Sequence, residues 1–155
     1  MEIKSVKKIG SYKIFHDKKL ILEYYSGEIT ADDLIHLKEI IFTEENYKFS
    51  YDAVLDFRNA ILLIDNQGIT DLIHFFRSRF SNTATRNVAY LTSRPNEVVI
   101  AIQYALKLEQ YSDLNIIPQI FSSTEAVASW LSDHSISEND LNIYFKDLME
   151  AANHL

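Results

Sequence analysis

The spacing of apolar residues changes period several times along the chain, and each change marks an element. Ala53, Val54 and Leu55 form a short apolar run closed by Asp56; a loop follows, and Asp65-Asn66-Gln67-Gly68 opens a helical pattern. A buried strand over Tyr51–Phe57 therefore feeds a helix through a polar turn. That helix carries the stripe Ile69, Leu72, Ile73, Phe76 and Phe80 and is broken by Ser81-Asn82-Thr83. Upstream, Met1 to Gly10 reads as a partly ordered lead-in. Ser11–His16 and Leu20–Tyr25 are two strands joined by the polar turn Asp17-Lys18-Lys19, a β-hairpin. Leu20, Leu22 and Tyr24 share one face of the second strand, and Ile21, Glu23 and Tyr25 the other. Thr30 with Asp33 is an acidic variant of the capping box. The helix it opens carries Leu34, Leu37 and Ile41 and is expected to end near Asn46.

Downstream, Asn87–Leu91 is another short buried strand. Pro95 suits the first turn of a helix, whose buried face is expected at Val98, Ile102, Ala105 and Leu106. Asn115–Phe121 is a strand containing Pro118, which cannot donate to a ladder and so belongs at a sheet edge. Ser122 with Glu125 caps a helix over Ser123–Leu131, with Val127, Trp130 and Leu131 inward, and Ser137 with Asp140 caps a last helix. The order is β-β-α-β-α-β-α-β-α plus a C-terminal helix. It implies an α/β fold: a mixed, mostly parallel sheet of about five strands with helices packed on it. Val54, Leu55, Val88 and Tyr90 are expected on central strands, with Leu72, Phe76, Ile102 and Trp130 packed on the sheet.

Composition narrows the function. At 155 residues with 47% apolar residues, one domain over 1–155 is expected. There is no cysteine, which excludes disulfides, thiolate metal sites and cysteine nucleophiles. No apolar run approaches the roughly 18 residues of a membrane helix, and no apolar leader follows Met1. The expectation is a soluble, cytoplasmic protein without stable membrane insertion. The net charge of −7 is uneven: residues 1–19 hold six Lys against Glu2 and Asp17, whereas residues 109–155 hold only Lys146 against eight acids. That balance argues against nucleic-acid binding, which calls for a basic face. The basic start is either a solvated end or a contact for an acidic partner or anionic surface.

Candidate chemistry is sparse. The five His show no metal-ligand spacing, and no G-x-S-x-G, G-x-G-x-x-G or phosphate-binding loop is present. No cofactor or metal is expected, and no catalytic set is complete. Asp56, Arg58, Thr92 and Arg94 cluster at the ends of two adjacent strands, where α/β folds place functional groups. Asp56 with Thr92 is similar to the carboxylate and hydroxyl of response-regulator receivers, but the acidic pair and the lysine those proteins need are missing. The plainer role for Asp56 is to accept from turn N–H groups, and for Asp65 to cap its helix. Nine Tyr and nine Phe either fill the core or line a ligand cavity.

The strand end Leu55-Asp56-Phe57-Arg58 and the turn Asp65-Asn66-Gln67-Gly68-Ile69 resemble the STAS family, the sulfate-transporter and anti-sigma-factor-antagonist domain, in its stand-alone bacterial form. The resemblance covers residues 11–132 and leaves 137–155 as an additional C-terminal helix. In the family a buried strand ends in an Asp-Leu-Ser-like tripeptide, and an Asp-Ser-Ser-Gly-like turn then opens a helix. The Asp, the Gly and the aliphatic residue after it match here. Asn66 and Gln67 occupy the serine positions, one of which family regulators phosphorylate, so that switch does not carry over. The resemblance implies a non-enzymatic regulatory or protein-interaction module, with Asp65, Asn66, Gln67 and Gly68 as its partner-binding turn. The alternative is a small-ligand or lipid-binding domain of the CRAL-TRIO type, which the family distantly resembles. The C-terminal stripe Leu141, Tyr144, Phe145 and Leu148 must be buried, either on its own domain or in a homodimer.

Overall fold

A computed structural model describes residues 2–6, 8–81 and 83–153. Met1, Lys7, Asn82, His154 and Leu155 lie outside the described residues, and with them part of the expected lead-in and of the Ser81-Asn82-Thr83 break. The strands are β1 (Lys4–Val6), β2 (Gly10–Phe15), β3 (Leu20–Thr30), β4 (Asp52–Leu63), β5 (Arg86–Leu91) and β6 (Ile116–Phe121). The helices are α1 (Ala31–Phe42), α2 (Asn66–Phe80), α3 (Pro95–Leu108), α4 (Thr124–Trp130) and α5 (Glu138–Asn153). All six strands form one sheet in sequence order. β1, β2 and β3 are antiparallel, and β3 to β6 are parallel. The α/β class and mostly parallel sheet expected from the sequence are thus present, and from β2 onward so is the expected alternation of strands and helices.

The strand order dictates the layers. Parallel strands laid down side by side in one direction, each joined by a right-handed crossover, put every crossover helix on the same face. Accordingly α1, α2 and α3 cover the face presenting Ile21, Tyr25, Ala53, Leu55, Phe57 and Val88. The opposite face, with Leu20, Leu22, Tyr24, Val54, Ala89 and Leu91, would be left to water. The chain beyond β6 closes it: α4 packs on β5 and β6, and α5 on β1, β2 and β3. Leu141, Phe145 and Leu148 are buried there, and Tyr144 tilts against Phe15 with ring centroids 4.9 Å apart. Ser11 Oγ donates to Leu148 O at 2.6 Å and ties α5 down. The C-terminal stripe is therefore buried in its own domain, and a homodimer would have to use another surface.

Several boundaries differ from the sequence reading. The lead-in contains β1, which pairs with β2 and raises the strand count to six. α1 ends at Phe42, short of Asn46. Ser123, not Ser122, caps α4, accepting from Ala126 N at 3.2 Å. Pro118 lies on β6, which pairs only with β5, so its missing N–H faces the sheet edge as expected. The largest difference lies in β3 and β4. Both continue, paired, to Thr30 and Leu63, through a bulge at Tyr24/Ser26. β5 leaves β4 at Asp56, so the outer part of β4 runs on with an uncovered edge. Side chains at the start of α3 bond to it: Leu62 N donates to Glu97 Oε1 at 3.2 Å, and Arg94 Nη2 donates to Ala60 O. Among the described residues no helix is long and apolar enough to cross a membrane.

Candidate functional site

The turn before α2 is built as the sequence implies. Asp65 is the N-cap, and its Oδ1 accepts from Gly68 N at 2.8 Å. Gly68 is buried: a Cβ there would stand 3.0 Å from Ile64 Cγ2 and 3.2 Å from the Ala31 Cβ. Asn66 and Gln67 are exposed, and Gln67 Nε2 donates to Asp71 Oδ1 at 2.9 Å. Of the four residues, two hold the turn and two face outward.

The strand-end cluster divides. Asp56, 1% exposed, accepts from Arg58 N and Nε at 3.0 Å and from Nη2 at 2.9 Å. Residues two apart share a strand face, so Arg58 folds back on Asp56 in a bidentate pair. Its guanidinium lies 5.9 Å from the Phe145 ring, on the α5 side. Arg94 instead serves the open edge of β4 and pairs with Glu97 at 3.5 Å. Thr92 is buried, and its Oγ1 has no partner among the described residues. The structure brings Asp56 and Arg58 together and engages Arg94 elsewhere. Among the described residues no group of three or more His, Asp or Glu could hold a metal ion.

The concentrated polar chemistry lies where the sequence reading placed none, inside the α1–α3 layer. Glu23 of β3, Lys38 of α1 and Arg86 of β5 are 0%, 4% and 2% exposed. Lys38 Nζ donates to Glu23 Oε2, and Tyr25 OH donates to Glu23 Oε1 at 2.6 Å. Arg86 Nη1 donates to Tyr47 OH at 2.9 Å, its Nη2 stays 3.9 Å from Glu23, and its guanidinium lies 5.0 Å from the Phe49 ring centroid. Arg86 Nε is buried without a partner among the described residues. Two cations thus share one carboxylate whose oxygens already accept from Lys38 and Tyr25. Burial, opposed by Glu23 and assisted by Arg86, pulls the Lys38 ammonium down to about 8. Burial and then the Glu23 charge push the Tyr25 hydroxyl well up. Beside the cluster, burial raises Tyr104 to about 12.

The Lys38 shift has a signed consequence. The unfolded chain keeps this proton up to its ordinary value of 10.5, whereas the folded protein releases it near 8. Between those values the unfolded state binds more protons, so stability rises with pH; below about 8 the cost of burying the charge is present in full. Urea unfolding at pH 7, 8, 9 and 10 is expected to show wild type gaining on Lys38→Met by up to about 1.4 kcal/mol per pH unit above pH 8. Parallel curves at every pH would contradict the placement of Lys38.

Glu23 and Lys38 each left a sequence signal. Glu23 sits between Ile21 and Tyr25 on one strand face, and Lys38 falls four residues after Leu34 and three before Ile41 on the buried stripe of α1. A charge on an otherwise apolar face is that signal. Arg86 left none, since it reads as the polar flank of an apolar run.

No protein-family model matches this chain, and curated proteins give no match. Among solved structures it is similar to the crystal structure of an uncharacterized protein from the DUF3478 family with a SpoIIAA-like fold, from Shewanella loihica PV-4. That likeness has a TM-score of 0.48 at 10% identity and covers 72% of this chain and 83% of that one.

Proposed function

We propose that this STAS-like chain is a non-enzymatic protein-interaction module, and that its binding face joins the Asn66-Gln67 turn to the outer side of α3. One observation carries the reading. Val99, Ile102 and Leu106 are 51%, 44% and 59% exposed. They recur at i, i+3 and i+7 and so form one apolar row. The sheet-facing side of α3 is supplied by Ala101, Tyr104 and Leu108, rather than by the expected Val98, Ile102, Ala105 and Leu106. The outer row therefore has no task in this chain's own core. Lys107 Nζ contacts Thr70 Oγ1, which ties the last turn of α3 to the first turns of α2. An apolar row at this spacing accepts the apolar face of a partner's amphipathic helix. Asn66 and Gln67 add hydrogen bonds at its edge but have no hydroxyl to phosphorylate, so control at this turn is by partner level or ligand. The engagement of Asp56 by Arg58, and of Arg94 by Ala60 and Glu97, supports a non-enzymatic role.

Affinity capture from native lysate tests the face. Wild type is expected to retain a stoichiometric protein partner that Leu106→Glu and Gln67→Arg lose, with unfolding midpoints unchanged. Light scattering on the purified protein shows whether that partner is a second copy. Equal recovery by all three proteins, with a wild type that is monomeric, would refute the proposed face.

A further inference from the structure

We infer that the cavity between the sheet and α1–α3 is a binding site for one small, uncharged, apolar molecule of no more than about three heavy atoms. Its volume is about 70 Å³, and its walls are almost wholly apolar. They include Leu34 of α1, Leu55 of β4, Leu72 of α2, Val88 of β5, and Ile100 and Ala101 of α3. Native interiors leave few voids larger than a water molecule, yet these elements meet around this space without filling it. Ala101 contributes to that gap: it shares the sheet-facing side of α3 with Tyr104 and Leu108 and is much the smallest of the three. Lys38 and Arg86 also line the cavity, but their charged ends are engaged elsewhere. Lys38 Nζ donates to Glu23, and Arg86 Nη1 donates to Tyr47 OH at 2.9 Å. What they add to the walls is mainly hydrocarbon stem.

The walls select the occupant. A buried water needs roughly two to four polar partners, and these walls offer almost none. A charged or strongly polar ligand would leave its own hydration for a space with nothing to bond to. An apolar molecule gives up only unfavourable hydration and gains dispersion contacts where the walls now face empty space. Size restricts it further: the space is about half of a ~150 Å³ cavity that takes benzene with its six carbons. Xenon and hydrocarbons of two or three carbons match, and a long acyl chain of the lipid-carrier kind does not. The site uses the inner side of α3, not the outer row proposed above as a binding face, so either can fail without the other.

The test uses the intact protein, with xenon and propane as probes and benzene as the oversized control. Methyl NMR under rising xenon pressure is expected to show saturable shifts at Leu55, Leu72, Val88 and Ile100. The methyls of Leu141 and Leu148, in the other layer, are expected to stay put. Propane is expected to give the same pattern and to raise the unfolding midpoint with its concentration, and benzene to do neither. Ala101→Leu, which fills the cavity from α3, is expected to fold and to bind xenon at least tenfold more weakly. Val88→Ile, which takes up less of the space, is expected to weaken binding in the same direction. Leu106→Glu, on the outer row, is expected to bind xenon as wild type does. Wild-type shifts that rise linearly with pressure across both layers would overturn the site. So would benzene binding as tightly as xenon, or xenon binding unchanged in folded Ala101→Leu or Val88→Ile.

Discussion

Glu23→Gln is expected to be the most damaging single isosteric change in this chain, costing about 3–5 kcal/mol, the usual loss when one partner of a buried ion pair is removed. The substitution keeps the shape and an acceptor for Tyr25 but leaves Lys38 and Arg86 as two buried cations with no anion between them. A loss of that size is comparable with the whole stability of many domains, at roughly 5–15 kcal/mol. Glu39→Gln provides the contrast. Its pair with Arg79 spans 3.5 Å with both side chains about half exposed, and removing such a pair costs about 0–1 kcal/mol. Urea unfolding at pH 7 measures both. Converting Lys38 and Arg86 to Met in the Glu23→Met background is expected to recover most of the loss, because an apolar cluster of similar volume carries no desolvation cost. Equal midpoints for Glu23→Gln and Glu39→Gln would show that the cluster is solvated.

Gly10→Ala is expected to match that effect by a different route. An added Cβ at Gly10 would stand 1.9 Å from Tyr24 O and 3.0 Å from Tyr24 C. Both are backbone atoms of the neighbouring strand, and no side chain can turn away to relieve the overlap. β2 would have to separate from β3 at the pair Gly10–Tyr25. A cost at or above the ~3 kcal/mol upper end for overpacking is expected, read as a lowered denaturant midpoint. The disturbance should concentrate where Ile9 O accepts from Ser26 N, visible as faster amide exchange at Ser26. A midpoint unchanged from wild type would show that the β2–β3 contact is looser than described.

Both positions show what could be read from the residues and what could not. Periodicity places strands at β2, β4, β5 and β6 because each alternates or runs apolar between polar turns. Caps place helix starts because Thr30, Asp65 and Ser137 leave a local chemical signature; Ser137 Oγ accepts from Asp140 N at 3.0 Å. The outer halves of β3 and β4 escaped. Ser26-Gly27-Glu28 and Arg58-Asn59 look like loop residues, and only mutual pairing, with Glu97 and Arg94 on the open edge, makes them strands. The buried face of α3 was misassigned because that helix is apolar on more than one side, so its periodicity does not choose between Ala101 and Ile102. The Asp65–Gly68 turn was readable in full as local structure. The buried cluster was not, because Glu23, Lys38 and Arg86 lie on three elements and meet only once the sheet and α1 have packed.

Glu23, Lys38 and Arg86 share one water-poor space, and the proton on Lys38 reports it most directly. Side-chain NMR of protein carrying ¹³C- and ¹⁵N-labelled lysine, followed from pH 6 to 11, reads that proton. The expected result is one lysine titrating at about 8, against an ordinary value of 10.5, with its resonance missing from Lys38→Met. A Lys38 resonance that titrates with the solvated lysines near 10.5 would contradict the buried cluster.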